Sequence, residues 1–175
     1  LGFPLVLKAV VTDMTHKSDA GGVLTDVVDL QTLEQTGGIF FERFAKKPGF
    51  RGVLIQKQVE TAIELIVGAR RDPSFGNIFI LGMGGVYAEI LEDVQIMPGP
   101  LDCEMVSDMV DRLRGGRILR GARGKAGIDI DLLYRVMASL KALLNGYPKI
   151  SEIEINPLVF SNGHGVIVDA RVVVA

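Results

Sequence analysis

Cysteine is almost missing: Cys103 is the only one in 175 residues, so no internal disulfide can form and the chain suits a reducing cytosol. Tryptophan is absent, and aromatics make up only 6% of the residues. With 19 basic against 21 acidic residues and no basic run interleaved with aromatics, the footprint of a nucleic-acid surface is lacking. No apolar run reaches membrane-spanning length. Val166-Ile167-Val168 and Val172-Val173-Val174 are split by Asp169 and Arg171, so they read as strand. A basic, apolar and small-residue leader is also lacking, and Leu1-Gly2-Phe3-Pro4 runs straight into a strand without an initiator methionine, as a fragment would. One cysteine and two distant histidines weigh against zinc. There is no G-x-S-x-G elbow, and Gly82-Met83-Gly84-Gly85 matches neither the dinucleotide pattern nor the P-loop.

What remains is enough for one domain or two intimate lobes. Strands are expected at 5–11, 22–28, 52–59, 63–71 and 78–81. A helix is expected at 29–44, weakened by Gly37-Gly38, which read either as a helix end or as a join across missing residues. Asp72 to Asn77 reads as a turn, and Pro98-Gly99-Pro100 closes the region after the glycine-rich break. Two helices follow. The first, 102–114, starts with acidic groups at the positive end of its macrodipole. The second, 129–145, buries Leu132, Leu133, Val136, Leu140 and Leu144 at helical spacing and stops at Gly146. Residues 151–160 and 165–174 read as a closing hairpin. The class is α+β.

Three places carry chemistry. In Thr15-His16-Lys17-Ser18-Asp19-Ala20-Gly21-Gly22-Val23, a histidine that can accept and release phosphate stands beside a cation and a glycine pair. The alternative is a solvated turn. Lys8 interrupts the apolar run 5–11, where a lysine can hold a nucleotide phosphate or merely guard an edge strand. The third place is the closing hairpin. A two-residue turn at Asn162-Gly163 pairs residues whose numbers sum to 325, which sets Asn156 opposite Asp169 and Glu154 opposite Arg171. These four share one face. Ile153, Ile155 and Val159 occupy the other against Val172, Ala170 and Val166. Two acids and an amide offer the hard oxygens that Mg²⁺ prefers, with positions left for phosphate oxygens; a solvated face is the alternative. Pro157 asks for an edge position or an outward-facing nitrogen, which fits a strand beside a cleft.

In order along the chain, these segments resemble the ATP-grasp domain of ADP-forming (NDP-forming) acyl-CoA synthetases, and more distantly succinyl-CoA synthetase β subunits. The matching stretches are Gly2-Phe3-Pro4-Leu5-Val6-Leu7-Lys8, the His16 segment, Val53-Leu54-Ile55-Gln56 and Glu64-Leu65-Ile66-Val67-Gly68. They continue through Arg71-Asp72-Pro73-Ser74-Phe75-Gly76, the glycine turn with Glu89, Leu119-Arg120-Gly121 and Arg123-Gly124. Glu154-Ile155-Asn156-Pro157-Leu158 and Val168-Asp169-Ala170-Arg171 complete the set.

The resemblance implies an ATP-grasp fold of two lobes, a small one at 1–57 that lacks its usual N-terminal part and a large one at 58–175 carrying the Mg²⁺ and phosphate site. It implies an acid–thiol ligase that interconverts acyl-CoA, ADP and phosphate with acid, CoA and ATP through an acyl phosphate and phosphohistidine. ATP or ADP and Mg²⁺ are the implied cofactors, and the implied partner is a CoA-binding α subunit or domain within a cytoplasmic, oligomeric enzyme. By the same resemblance His16 relays phosphate, and Glu154 is the acid beside the phosphohistidine. Lys8, Gln56, Lys57, Gln58, Val59 and Glu64 bind nucleotide, and Asn156 and Asp169 hold the metal. Two departures stand out: Lys57 replaces the usual hinge acid, and Ile96-Met97 stands where members commonly read Phe-Arg. They leave room for a second function, a binding or regulatory module without turnover.

Overall fold

The computed structural model describes residues 1–12, 20–60, 63–85, 92–122, 124, 126–161 and 164–174. The chain divides into two compact units, Leu1–Val59 and Glu60–Ala175.

The first unit is a three-stranded antiparallel sheet with one helix. Strand β1 (Leu5–Val11) lies in the middle, between β2 (Val23–Val27) and β3 (Phe50–Lys57). Helix α1 (Leu30–Ala45) is capped by Asp29, whose carboxylate accepts from Thr32 N at 2.7 Å. Leu5, Leu7 and Ala9 of β1 pack with Val27, Phe40 and Phe44. The glycine pair does not end the helix, which runs through it. At Gly37 a Cβ would lie 3.3 Å from both Leu33 Cδ1 and Leu7 Cδ2, so the missing side chain is what lets α1 settle on β1.

The second unit is a larger antiparallel sheet. Strands β4 (Ile63–Asp72), β5 (Gly76–Met83), β6 (Val94–Pro98), β7 (Ile150–Ser161) and β8 (His164–Ile167) stand in the order β6-β5-β4-β7-β8, and β9 (Ala170–Val174) also pairs with β7. Asp72 Oδ1 accepts from Ser74 N and Phe75 N, which closes the β4–β5 turn. Helices α2 (Cys103–Arg112), α3 (Gly116–Leu119) and α4 (Ile130–Gly146) complete the unit. Strand β6 and the one-turn α3 carry too little periodicity to be read from the sequence. On α4 the buried residues are Leu133, Met137, Leu140 and Leu144; Leu132 and Val136, expected inside, are only partly buried. The apolar face is therefore turned slightly from the one the leucines suggested.

One face of the large sheet packs on these helices: Leu65, Val67 and Ala69 of β4, Phe79, Leu81 and Met83 of β5, and Ile153 and Ile155 of β7. The hairpin register is as expected, from Ser161↔His164 to Glu154↔Arg171, although its turn at 162–163 lies outside the described residues. Alternation along β7 nevertheless changes phase. Leu65 pairs with Leu158 but Val67 with Ile155, so Asn156 and Pro157 together oppose Ile66 in a bulge. Beyond it Leu158 and Phe160 join the core, and Val159 is turned to the opposite face, against expectation. Of the two settings expected for Pro157, the edge strand is not the one found. β7 is paired on both sides, and the bulge accommodates the proline that cannot donate to the ladder.

Candidate functional site

In the first unit, side chains alternate about β1. Leu5, Leu7 and Ala9 face α1, so Lys8 projects from the other side of the sheet, where its cross-strand neighbours are Val23 and Leu54. Lys8 is only 6% exposed on a central strand, which removes the edge-guard alternative. Val6 pairs with Gln56, which puts Gln56 on the same helix-free face one pair away. Lys57 pairs with Leu5 at the end of the ladder and is exposed. Gln58 and Val59 follow the strand and are half-buried.

The Gln58 carboxamide is already engaged. Its Nε2 donates to Asp26 Oδ1 at 2.8 Å, and its Oε1 accepts from Asp26 N at 2.7 Å. Gln58 N donates to Pro4 O as well, so the segment after β3 is fastened both to Asp26 of β2 and to the residue just before β1. Asp26 sits at a left-handed φ of 60° and accepts a further bond from Thr25. The bonds from Gln58 and then Thr25 hold its carboxyl below the usual range. Sequence reasoning missed Asp26; an acid inside a β-branched run is the one signal that points to it. His16 lies outside the described residues. At the C-terminal foot of its segment, Gly21 has φ +63°, and an added Cβ would lie 3.0 Å from Arg43 Nη1 and Nη2.

In the second unit, Glu152, Glu154 and Asn156 project from β7 on the face away from the helices. Asn156 N donates to Asp169 O at 3.0 Å, so these two residues stand opposite each other between β8 and β9. Arg171 Nη2 donates to Glu152 Oε1 at 2.7 Å and to Glu154 Oε2 at 3.3 Å. Asn156 Nδ2 donates to Glu154 Oε1 at 3.3 Å. Glu152 was not singled out in the sequence, although its place two residues before Glu154 predicts the shared face.

Glu64 lies on that same face of β4, paired with Val159. The glycine turn folds against it: Gly84 N donates to Glu64 O at 2.7 Å, and a Cβ on Gly85 would fall 3.0 Å from Glu64 Oε2. Only glycines allow the backbone this close to the carboxylate. The structure thus brings Glu64, Glu154, Asn156 and Asp169 to one helix-free face, and Lys8 and Gln56 to the helix-free face of the other sheet.

Among the described residues, no three or more His, Cys, Asp or Glu side chains cluster closely enough to hold a metal by themselves. Asp169 and Asn156 offer one carboxylate and one amide oxygen. That set fits Mg²⁺, which binds through one or two carboxylates and takes its remaining ligands from water and substrate phosphates. Met97 pairs with Phe79 and packs against the helix-side core, so its side chain is directed away from the acidic face.

A family model described as an ATP-grasp domain matches residues 1–174. Acetate–CoA ligase (ADP-forming) I of Archaeoglobus fulgidus is 41% identical over 180 residues, covering 99% of this chain and 26% of that protein. The chain thus spans about a quarter of that relative's length. The β subunit of acetate–CoA ligase (ADP-forming) I of Pyrococcus furiosus is 35% identical, over 99% of this chain and 76% of the subunit. Among solved structures, an acetyl-coenzyme A synthetase of Ca. Korarchaeum cryptofilum in complex with coenzyme A and Ca-AMPCP superposes with a TM-score of 0.87 at 29% identity, over 99% of this chain and 77% of that one. The same synthetase with coenzyme A and Mg-AMPPCP, its phosphohistidine segment pointing towards the nucleotide binding site, gives 0.82 at 28%, over 99% and 78%.

Proposed function

The chain belongs to the ATP-grasp domain family, alongside the β parts of ADP-forming acetyl-CoA synthetases, and on that premise we propose that it is the nucleotide-binding part of an ADP-forming acyl-CoA synthetase. The whole enzyme converts acyl-CoA, ADP and phosphate into acid, CoA and ATP, and the reverse. It does so in the cytoplasm, as an oligomer with a CoA-binding α subunit or domain. Phosphate displaces CoA to give an acyl phosphate, a histidine of the α part takes up the phosphoryl group, and His16 relays it to ADP.

The observation that carries this reading is the helix-free face of the large sheet. On it Glu154 and Asn156 lie along one strand with Asp169 opposite Asn156, and their oxygens are of the kind that suits Mg²⁺ beside a phosphate. Asn156 and Asp169 would hold the metal there, and it would supply positive charge against the phosphate oxygens. Lys8 supplies a point charge to the nucleotide phosphates, and Gln56 shares its face. Lys57, Gln58 and Val59 contribute the adenine hinge. The engagement of Gln58 with Asp26 leaves that residue to position the segment rather than to read the base. Glu64, with Gly84 and Gly85 folded against it, also serves the nucleotide. The small lobe is assigned to 1–57 and the large lobe to 58–175.

A binding module without turnover draws on Lys57 and Met97. The helix-side orientation of Met97 weakens the second support, because that position does not face the acids.

The test is phosphoryl transfer in the complete α plus β assembly. Wild type is expected to take an acid-labile, base-stable ³²P label from ATP. His16→Asn is expected to keep its fold and nucleotide binding while losing ATP formation from acyl-CoA, ADP and phosphate. Full ATP formation by His16→Asn removes the relay. A wild type that neither turns over nor takes the label makes this a binding module.

A further inference from the structure

A single terminal nitrogen of Arg171 is shared by two carboxylates, Glu152 at 2.7 Å and Glu154 at 3.3 Å. Glu154 in turn receives the Nδ2 hydrogen of Asn156 on its other oxygen. Arg171 and Glu154 are paired directly across β7 and β9, and Asn156 is the next outward-facing residue along β7, so the chain of contacts runs along one surface of the sheet. An amide has its nitrogen and oxygen on opposite sides of one carbon. With Nδ2 directed at Glu154, Oδ1 is presented away from it, as the oxygen Asn156 offers to a cation.

We propose that Arg171 is a positioning residue: anchored on Glu152, it holds the Glu154 carboxylate where it fixes the Asn156 amide, so that Oδ1 rather than Nδ2 meets the metal of the nucleotide complex. This rests on the reading that Asn156 and Asp169 hold Mg²⁺. The energetic logic is that of outer-shell partners, which orient a ligand that would otherwise rotate. An asparagine has two amide orientations of similar shape, and only one presents oxygen. The positive charge of Arg171 is needed because two carboxylates two residues apart on one strand repel each other. Without it Glu154 has no reason to stay beside Asn156.

The complete enzyme, titrated with Mn²⁺ in the presence and absence of ADP and followed by electron paramagnetic resonance, separates the possibilities. Arg171→Met is expected to weaken Mn²⁺ binding to the ADP complex roughly tenfold, the scale for loss of an outer-shell partner, and to leave metal-free ADP affinity unchanged. Glu154→Ala acts one link further along and is expected to show the same selective loss. Because Arg171 acts through Glu154, the double variant should lose no more than Glu154→Ala alone. Arg171→Lys, which keeps the charge, should recover most of the affinity. Unchanged Mn²⁺ affinity in both single variants, additive losses in the double variant, or an equal loss of metal-free ADP each overturn the positioning role. If wild type itself shows no Mn²⁺·ADP complex, the metal reading fails first. Should Arg171→Met not fold, judged by its circular dichroism and melting point, Glu154→Ala and Arg171→Lys decide: a tenfold selective loss in the former with recovery in the latter supports the role, and no loss in the former overturns it.

Discussion

The two faces of the large sheet are built from the same strands and do opposite work. On one, Leu65, Val67, Phe79, Leu81, Ile153 and Ile155 are buried under α2 and α4. On the other, Glu152, Glu154, Asn156 and Arg171 are only half-buried or exposed, in a network of hydrogen bonds and ion pairs. Adjacent residues of β7 therefore differ completely in what they contribute. Ile153 and Ile155 stabilise the unit by leaving water, whereas the half-exposed ion pairs of Glu154 add little to stability. The small sheet repeats the division with Leu5, Leu7 and Ala9 under α1 and Lys8 opposite, but there the charged residue is buried. On the proposed function, stability and chemistry occupy alternate positions of the same strands, so substitutions should separate them cleanly.

The largest effect is expected on the helix side. Phe79→Ala leaves a cavity under α2 and α4 and should cost ~3–5 kcal/mol in denaturant unfolding. Ile96→Ala, on the helix-free side and 57% exposed, should stay within about 0.5 kcal/mol. Comparable losses at both positions would break the comparison.

Lys8→Met tests the small sheet. It should weaken nucleotide binding by ~1.5–3 kcal/mol even without metal, the scale of a charge-assisted hydrogen bond, as measured by calorimetry. An unchanged affinity would make Lys8 a structural charge and break the parallel between the two sheets.

A smaller effect sharpens the contrast from the helix layer. Asp111 is held below its ordinary value of 3.8 chiefly by its hydrogen bond from Arg120, which also donates to Ser107. A carboxyl depressed in the folded state adds stability above its unfolded value, and that stability is lost as pH falls through the folded value. Melting points should therefore fall on acidification below about pH 4. Asp111→Asn should reduce that fall without altering nucleotide affinity. An affinity change would mean that charge in the helix layer reaches the site.

Much of this division was legible in the sequence. Read as a two-residue turn, Asn162-Gly163 predicts the hairpin register, and the pairings Ser161↔His164 and Glu154↔Arg171 agree with that prediction. The alternation of Ile153, Glu154, Ile155 and Asn156 then assigned the two faces. What was not legible depends on contacts distant in the chain. The bulge at Asn156-Pro157 exists only against β4, so the exchange of Val159 for Leu158 and Phe160 in the core could not be read from β7 alone. The glycine pair in α1 reads as a terminator because the benefit of Gly37, close contact with Leu7, involves a strand distant in the chain. The bonds of Asp26 to Gln58 and of Arg171 to Glu152 likewise join positions that local pattern does not connect.

The central claim is that the helix-free face of the large sheet binds nucleotide through a metal held by Asn156 and Asp169. Titration calorimetry of ATP into wild type and Asp169→Asn, each with and without Mg²⁺, tests it most directly. The account predicts that the substitution weakens Mg·ATP much more than metal-free ATP. Equal losses in the two titrations, or none in either, would contradict it.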